Sequence, residues 1–484
     1  MFYFFILVSV ISITKADPAQ MSSPLLLTPY IERDNIEEAR QASSVNPDIF
    51  LNVTSYSGFL TVDKRYNSNL FFWYFPNVAK NVTQTPWIIW LQGGPGGTSL
   101  VGLFGEMGPF EYVNDTLKLR EYSWCSEYSM VFIDNPVGAG FSFTDYEDGY
   151  SKNMDMYTNN LYNAVKQLTS LYPELGHAPL YIAGESYAGR YVPALAAKIA
   201  EGRYTDNSIN LQGIMLGNPV LDRKSLLDYT RVFYHWGLID SQGALAVEPL
   251  QEDFEQAVNS GDVEKANKLH DEIFTKLNEI SNHDEFYNVL SDVDITLGIK
   301  KFIPHIEKAA IRQAIHVGYQ PFSFVNRKKT QRYLSGDYLA AVSKKVEMLL
   351  ENYKVLIYCG QLDLTTPCVL NAEGRRKRWQ WSGRDSFLKA QRYPWWFNNT
   401  VAGYVKSGGN FTEVLVTRAG HMVPIDRPAE TKLLVSSFIR GVDLNKPPAF
   451  QRHEEVSYEE EDLNHRTSPD YKTGLVDSSN NISK

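Results

Sequence analysis

Seven short apolar runs set the terms for how this chain can fold: Leu70–Phe75 (LFFWYF), Trp87–Leu91 (WIIWL), Met130–Asp134 (MVFID), Leu180–Ala183 (LYIA), Gly213–Leu216 (GIML), Lys354–Tyr358 (KVLIY) and Glu413–Thr417 (EVLVT). Each has the length of a strand and is rich in β-branched or aromatic residues. A strand that is apolar at nearly every position must be covered on both faces, which is the condition of a parallel sheet sandwiched between helices. Helical patterns lie between several of the runs. Leu161, Val165, Leu168 and Tyr172 recur at helical spacing within Asp155–Tyr172, just before Pro173, and Tyr187–Glu201 follows the fourth run directly. Alternating strands and helices predict an α/β fold with a mostly parallel central sheet and helices on both faces.

The rhythm breaks between about Asp222 and Ser335. That stretch is polar, poor in buried-strand runs, and carries amphipathic patterns over Gly243–Val258 and Asp262–Ile280. It reads as a mainly helical insertion at 222–335, either a cap over a cleft or a plain helical layer of the same domain. The core is then expected at 17–221 and 336–446, with an N-terminal extension over 17–50. Residues 447–484 are rich in charge, Ser and Asn, and read as a disordered, solvated tail.

Residues Phe2–Ile13 form an apolar run too short to span a bilayer, followed by Thr14, Lys15 and the small residue Ala16. This is the pattern of a signal peptide over 1–16. Sequons at Asn52, Asn81, Asn114, Asn398, Asn410 and Asn481 agree with passage through the secretory pathway, where alone they are glycosylation acceptors. No other apolar run approaches the length of a membrane span. The 484-residue chain has a net charge of -9, which disfavours nucleic-acid binding, since phosphate contacts need a basic face. Its three cysteines, Cys125, Cys359 and Cys368, allow at most one internal disulfide and form no zinc motif. Their pairing is not fixed by spacing. No metal or organic cofactor is implied.

The sharpest chemical signal is Gly184-Glu-Ser186-Tyr-Ala188, set between the run LYIA and a helical pattern. A strand, a tight turn carrying Ser and then a helix form a nucleophile elbow, in which crowding of strand against helix demands small flanking residues. The turn presents Ser186 at the carboxyl edge of the sheet, above a helix N-terminus that favours developing negative charge. In such a fold the acid and base follow the serine. Asp363 leaves the end of KVLIY, and His421 lies in a Gly- and Pro-flanked loop after EVLVT. Ser186 is the candidate nucleophile, His421 the base that activates it, and Asp363 the group that orients the imidazole. The Gly-rich segment Gln92–Gly97 after WIIWL can turn an N–H toward a substrate carbonyl, with the N–H of Tyr187 as second donor. The same segment lacks the lysine of a phosphate-binding loop, and Pro95 removes a donor.

Together these segments resemble the serine carboxypeptidases of the α/β-hydrolase fold, over about Tyr56 to Ile439. The landmarks are WLQGGPGGTS (90–99), GPF (108–110), DNPVGAGFS (134–142), GESYAGRYVP (184–193), GNP (217–219), YCGQLD (358–363) and AGHMVPIDRP (419–428). The branch is similar to the vitellogenic-like carboxypeptidases. The resemblance implies release of single residues from peptide C-termini, with Ser186, Asp363 and His421 as triad and Gly94 and Tyr187 as oxyanion donors. It also implies that Trp90, Gln92, Gly93, Glu106 and Glu185 hold the substrate's terminal carboxylate, and that Met422 lies near the pocket of the leaving residue. A carboxylate can bind beside two glutamates only if protons are shared, so peptide turnover is expected to be best at acidic pH, as in an endolysosomal or secretory setting. Two departures stand out. Gln92 replaces the family's usual Asn, and Gly97-Thr98-Ser99 replaces Cys-Ser-Ser, so the family's disulfide pattern does not transfer.

The expected partners are peptide or protein C-termini. An acyltransferase on the same scaffold is an alternative, as is a non-enzymatic secreted protein that binds or protects another, although a complete triad argues against the latter. A lipase or esterase would leave the glutamates without a role.

Overall fold

All seven apolar runs are strands, and they occupy the middle of a larger sheet. In chain order the strands are β1 (Ser44–Val45), β2 (Ser55–Asp63), β3 (Ser68–Phe75), β4 (Trp87–Leu91), β5 (Phe110–Val113), β6 (Thr116–Leu119), β7 (Ser129–Ile133), β8 (Leu180–Glu185), β9 (Leu211–Gly217), β10 (Lys354–Gly360), β11 (Tyr393–Phe397), β12 (Thr400–Gly408) and β13 (Phe411–Val416). Eleven form one sheet in the order β1-β2-β3-β7-β4-β8-β9-β10-β13-β12-β11, and β5-β6 is a separate hairpin. The pairings from β7 through β4, β8, β9 and β10 to β13 are parallel, and the strands outside them on both flanks are antiparallel. The structure is a computed structural model that describes residues 22–203 and 209–444. The expected signal peptide, the tail at 447–484 and Asn481 lie outside the described residues.

Side-chain alternation divides the core between the two faces of the sheet. Ile89, Leu91, Leu180, Ile182, Val355 and Ile357 pack with the helices Met154–Leu171, Ala188–Gly202 and Ser343–Leu350. Their neighbours Ile88, Trp90, Tyr181, Ala183, Leu356 and Tyr358 pack on the other side, where helix Pro428–Arg440 contributes Leu434, Val435 and Phe438. Burial on both faces is the physical reason these strands read as continuous apolar runs.

The helical stretch 222–335 has two characters. Helices Tyr229–His235, Ser241–Ser260 and Val263–Ser281 build a cluster of their own around Phe233, Phe254 and Ile273, closed by Leu364 and Leu370 from the core. Farther along, Phe302, Ile306, Ile311, Ile315 and Val317 belong to the main core instead. Cys359 and Cys368 form a disulfide, and Cys125 is a free thiol. Among the described residues no helix is long and apolar enough to cross a membrane.

Candidate active site

Strand β8 runs into Ser186, whose φ of 61° lies in the left-handed region, and helix Ala188–Gly202 starts two residues later. A non-glycine residue there is strained and must be held by its surroundings. The Ser186 N–H donates to Gly217 O (3.0 Å), and its carbonyl accepts the N–H of Val220 (2.9 Å) and of Gly189 (2.9 Å). Crowding explains the small neighbours. A methyl group on Gly184 would lie 2.6 Å from Leu91 O, and one on Gly93 would lie 2.6 Å from Tyr187 N and 2.8 Å from Ser186 Cβ. The Gly-rich segment after β4 is thus packed directly on the serine turn. Among the described residues no backbone carbonyl accepts the amide N–H of Gly94 or of Tyr187. The Tyr187 side chain points away from this edge, its hydroxyl donating to Asp337 Oδ2 (2.8 Å).

Asp363 and His421 meet although 58 residues separate them. Nδ1 of His421 lies 2.7 Å from Oδ2 of Asp363, both side chains buried, which leaves Nε2 unengaged by Asp363. Asp363 is surrounded by donors. Its Oδ1 accepts the N–H of Thr365 (2.8 Å) and Thr366 (3.1 Å), and its Oδ2 accepts the Thr366 hydroxyl (2.7 Å) and the amide of Asn218 (2.5 Å). Burial alone would raise its pKa; the charge of His421 and these hydrogen bonds outweigh it and hold the carboxyl below its ordinary range. From the helical stretch, the Tyr287 carbonyl accepts the His421 N–H (2.6 Å), and the Tyr287 ring packs against the imidazole with centroids 5.0 Å apart.

On the other side of Ser186 lies a buried polar relay. Gln92 is held at both ends: Oε1 accepts the indole N–H of Trp90 (2.9 Å), and Nε2 donates to Oε1 of Glu185 (3.0 Å). Glu185 Oε2 and both carboxyl oxygens of Glu106 are buried, and the two carboxyls lie against each other, where a retained proton can join them. Burial pushes the pKa of both glutamates up, and for Glu185 the charge of Glu106 adds to the rise.

Gln92, Gly93, Gly94, Glu185, Ser186, His421 and Met422 line one cavity of about 1130 Å³. Trp90, Glu106 and Asp363 do not reach its surface; they touch the residues that do. Phe274, Phe286, Tyr287 and Lys300, from the helical stretch, form its far wall. Five sequon asparagines, Asn52, Asn81, Asn114, Asn398 and Asn410, are exposed.

A polar strand-to-helix edge with Ser, His and Asp converging is common to many hydrolases, so the comparisons with known proteins decide the family. The serine carboxypeptidase family model matches residues 46–441. The chain belongs to the serine carboxypeptidase family. It is a serine-type carboxypeptidase. A venom serine carboxypeptidase of Apis mellifera is 38% identical over 425 residues, 86% of this chain and 90% of its own length. A vitellogenic carboxypeptidase of Aedes aegypti is also 38% identical, over 87% of this chain and 91% of its own. A probable serine carboxypeptidase of Homo sapiens, CPVL, is 36% identical over 89% and 92%. The crystal structure of a prohormone-processing carboxypeptidase from Saccharomyces cerevisiae superposes with a TM-score of 0.72 at 21% identity, over 83% of this chain and 96% of that one, a likeness of fold. The expected α/β-hydrolase fold is the observed one.

Several contributors carried no assigned role in the sequence. Asn218, in the GNP landmark, grips Asp363 and accepts the Gly360 N–H (3.1 Å) through Oδ1. Asp134, in the DNPVGAGFS landmark, accepts the Thr98 hydroxyl (2.7 Å) and the N–H of Ser99 (2.8 Å) and Phe141 (2.9 Å), and so ties down the Gly-rich segment. Both stand directly after apolar strands, a placement that could have singled them out. Tyr287 lies in no motif, and no local signal marks it.

Proposed function

We propose that the protein releases single residues from peptide C-termini through an acyl-enzyme on Ser186. His421 Nε2 takes the Ser186 proton as Oγ attacks the scissile carbonyl carbon, and the N–H groups of Gly94 and Tyr187 receive the developing oxyanion. The imidazolium then gives its proton to the departing amine, and Asp363 stabilises that charged ring. Water attacks the ester with His421 again as base, and Ser186 is regenerated.

The observation that carries this reading is the relay beside the serine. Gln92 Nε2 is directed to Glu185 by the indole of Trp90, and both glutamates are buried with elevated pKa. A glutamate pair that retains a proton can donate to a substrate carboxylate, which a pair of anions would repel. Gln92, Gly93 and Glu185 meet the carboxylate, with Trp90 and Glu106 behind them, and Met422 borders the leaving residue. Turnover is best at acidic pH, in the secretory or endolysosomal route that the apolar N-terminus and the sequons indicate. The helical stretch 222–335 caps this cleft.

The test compares release of the terminal residue from Z-Phe-Leu and from its C-terminal amide, with wild type and Ser186→Ala. Activity at acid pH that is abolished in the variant and much weaker on the amide is expected. Equal turnover of acid and amide would overturn the role of the glutamates, and an active variant would overturn that of Ser186.

A further inference from the structure

The disulfide closes the loop that carries the catalytic acid. Cys359 is the penultimate residue of β10, and Cys368 is the first residue of helix Cys368–Arg378. Asp363 lies between them. Both cysteines are buried, and their Cα atoms are 5.8 Å apart.

The two arms of this loop are held by different means. The arm from β10 is fixed by the sheet: Cys359 is in register with Leu415 of β13, and the N–H groups of Gln361 and Leu362 donate to Val416 O (2.9 Å) and Ala419 O (2.8 Å). The arm leading to the helix supplies three of the five donors to Asp363, from Thr365 and Thr366, and Asn218 and His421 supply the other two. Its own anchors are the Thr365 hydroxyl on Phe286 O (3.2 Å), the Leu364 N–H on Phe286 O (3.0 Å) and a long contact from Asn371 to Thr366 O (3.4 Å). Two residues beyond Thr366, the covalent bond returns this arm to the strand.

We infer that the Cys359–Cys368 bond is a positioning device for the reaction: it holds Thr365 and Thr366 on Asp363, so that Asp363 holds His421 in the tautomer and direction that serve Ser186. The inference rests on the triad reading above. The terminal-carboxylate relay is carried by β4, β8 and the segment after β4, outside the closed loop. Loss of the bond therefore affects the chemical step more than substrate binding. A catalytic group displaced by about an ångström can cost on the order of a hundredfold in rate.

The experiment measures kcat and KM on Z-Phe-Leu for the double variant Cys359→Ser/Cys368→Ser, with active sites counted by a fluorophosphonate so that unfolded protein drops out. A fall in kcat of about 10- to 100-fold with KM within about twofold of wild type is expected. Folded wild type is also treated with a water-soluble phosphine. The S–S bond takes two electrons and two protons to give two thiols, and the phosphine becomes its oxide with oxygen from water. Cys125, already a thiol, is unaffected in oxidation state. The same drop in kcat, reversed on reoxidation, is expected, and this arm decides if the double variant does not fold. Unchanged kcat per titrated site in whichever folded form lacks the bond overturns the inference, as does a rise in KM alone. Failure of the triad reading shows separately, as wild-type turnover by Ser186→Ala or Asp363→Asn with the disulfide intact.

Discussion

Gln92 hands its amide N–H to Glu185 at 3.0 Å because the indole of Trp90 occupies its oxygen. The relay is polarised toward a buried carboxyl whose neighbour, Glu106, is equally buried. Both pKa values lie above the ordinary carboxylate range, that of Glu106 at about 7, so the pair is neutral at acid pH and gains a negative charge as pH rises through neutrality. A substrate carboxylate then meets net negative charge. KM for Z-Phe-Leu is expected to rise by about tenfold from pH 5 to pH 7.5, the size of one lost charge-assisted hydrogen bond. KM for the C-terminal amide should stay nearly flat. Glu185→Gln, neutral at all pH, should flatten the acid substrate's profile. Steady-state kinetics across that range check all three.

The same pair links stability to pH. Folded protein holds a proton that the unfolded chain, with ordinary glutamates, releases above its unperturbed pKa. The unfolded state then binds fewer protons, so this contribution is full below the ordinary carboxylate range and declines as pH climbs through the raised pKa values. Asp363 acts in the opposite direction, its contribution being lost only in strong acid. Urea denaturation should show wild type losing stability between pH 5 and pH 7.5. The double variant Glu106→Gln/Glu185→Gln should lose less over that interval.

Replacing Asp363 with Asn exchanges an acceptor for an amide in the position that faces His421 Nδ1. The amide nitrogen can donate to Nδ1, which fixes the wrong tautomer and puts the proton on Nε2. kcat is expected to fall by about 10³- to 10⁴-fold, with KM little changed because Gln92 and Glu185 are untouched. Labelling of Ser186 by a fluorophosphonate should slow in parallel. Retention of rapid labelling would contradict the role of Asp363.

The sheet and the strand-end placement of the three candidate residues were legible because both obey local rules. The six strands from β7 to β13 are paired and covered on both faces, so their sequences carry the burial directly. The flanks are harder to read. Strand β2, Ser55–Asp63, mixes Ser and Thr with apolar residues, and β11 and β12 are partly exposed, so neither gives a continuous apolar run. Ser186, Asp363 and His421 each follow a strand, and that placement is visible in one dimension. The contact of Tyr287 with His421 is not. It joins a segment of the helical stretch to a loop 134 residues away (421 − 287) through a backbone carbonyl, which any residue type could supply. The pairing of Cys359 with Cys368 likewise depends on where the helix after Asp363 begins.

Beneath the serine turn, Arg190 and Asp337 form a fully buried ion pair at 3.6 Å. Asp337 also accepts the hydroxyls of Tyr187 (2.8 Å) and Tyr157 (3.3 Å), and Arg190 donates to the carbonyls of Asp337 and Tyr338. Asp337→Ala leaves a guanidinium without its counter-charge and two phenols without an acceptor. The expected cost is about 3–5 kcal/mol, the range for breaking a buried pair on one side, read by urea denaturation. Asp337→Asn, which keeps an acceptor oxygen, should cost less. Catalysis should respond differently. The turn at Ser186 is held by Gly217 O, by Val220 N and by the close packing of Gly93, none of which involves Asp337. The kcat per titrated site of Asp337→Ala should therefore stay within about threefold of wild type, a change of less than about 1 kcal/mol in the barrier. A loss of a hundredfold would mean that the Tyr187 phenol, through its bond to Asp337, sets the direction of its own backbone N–H.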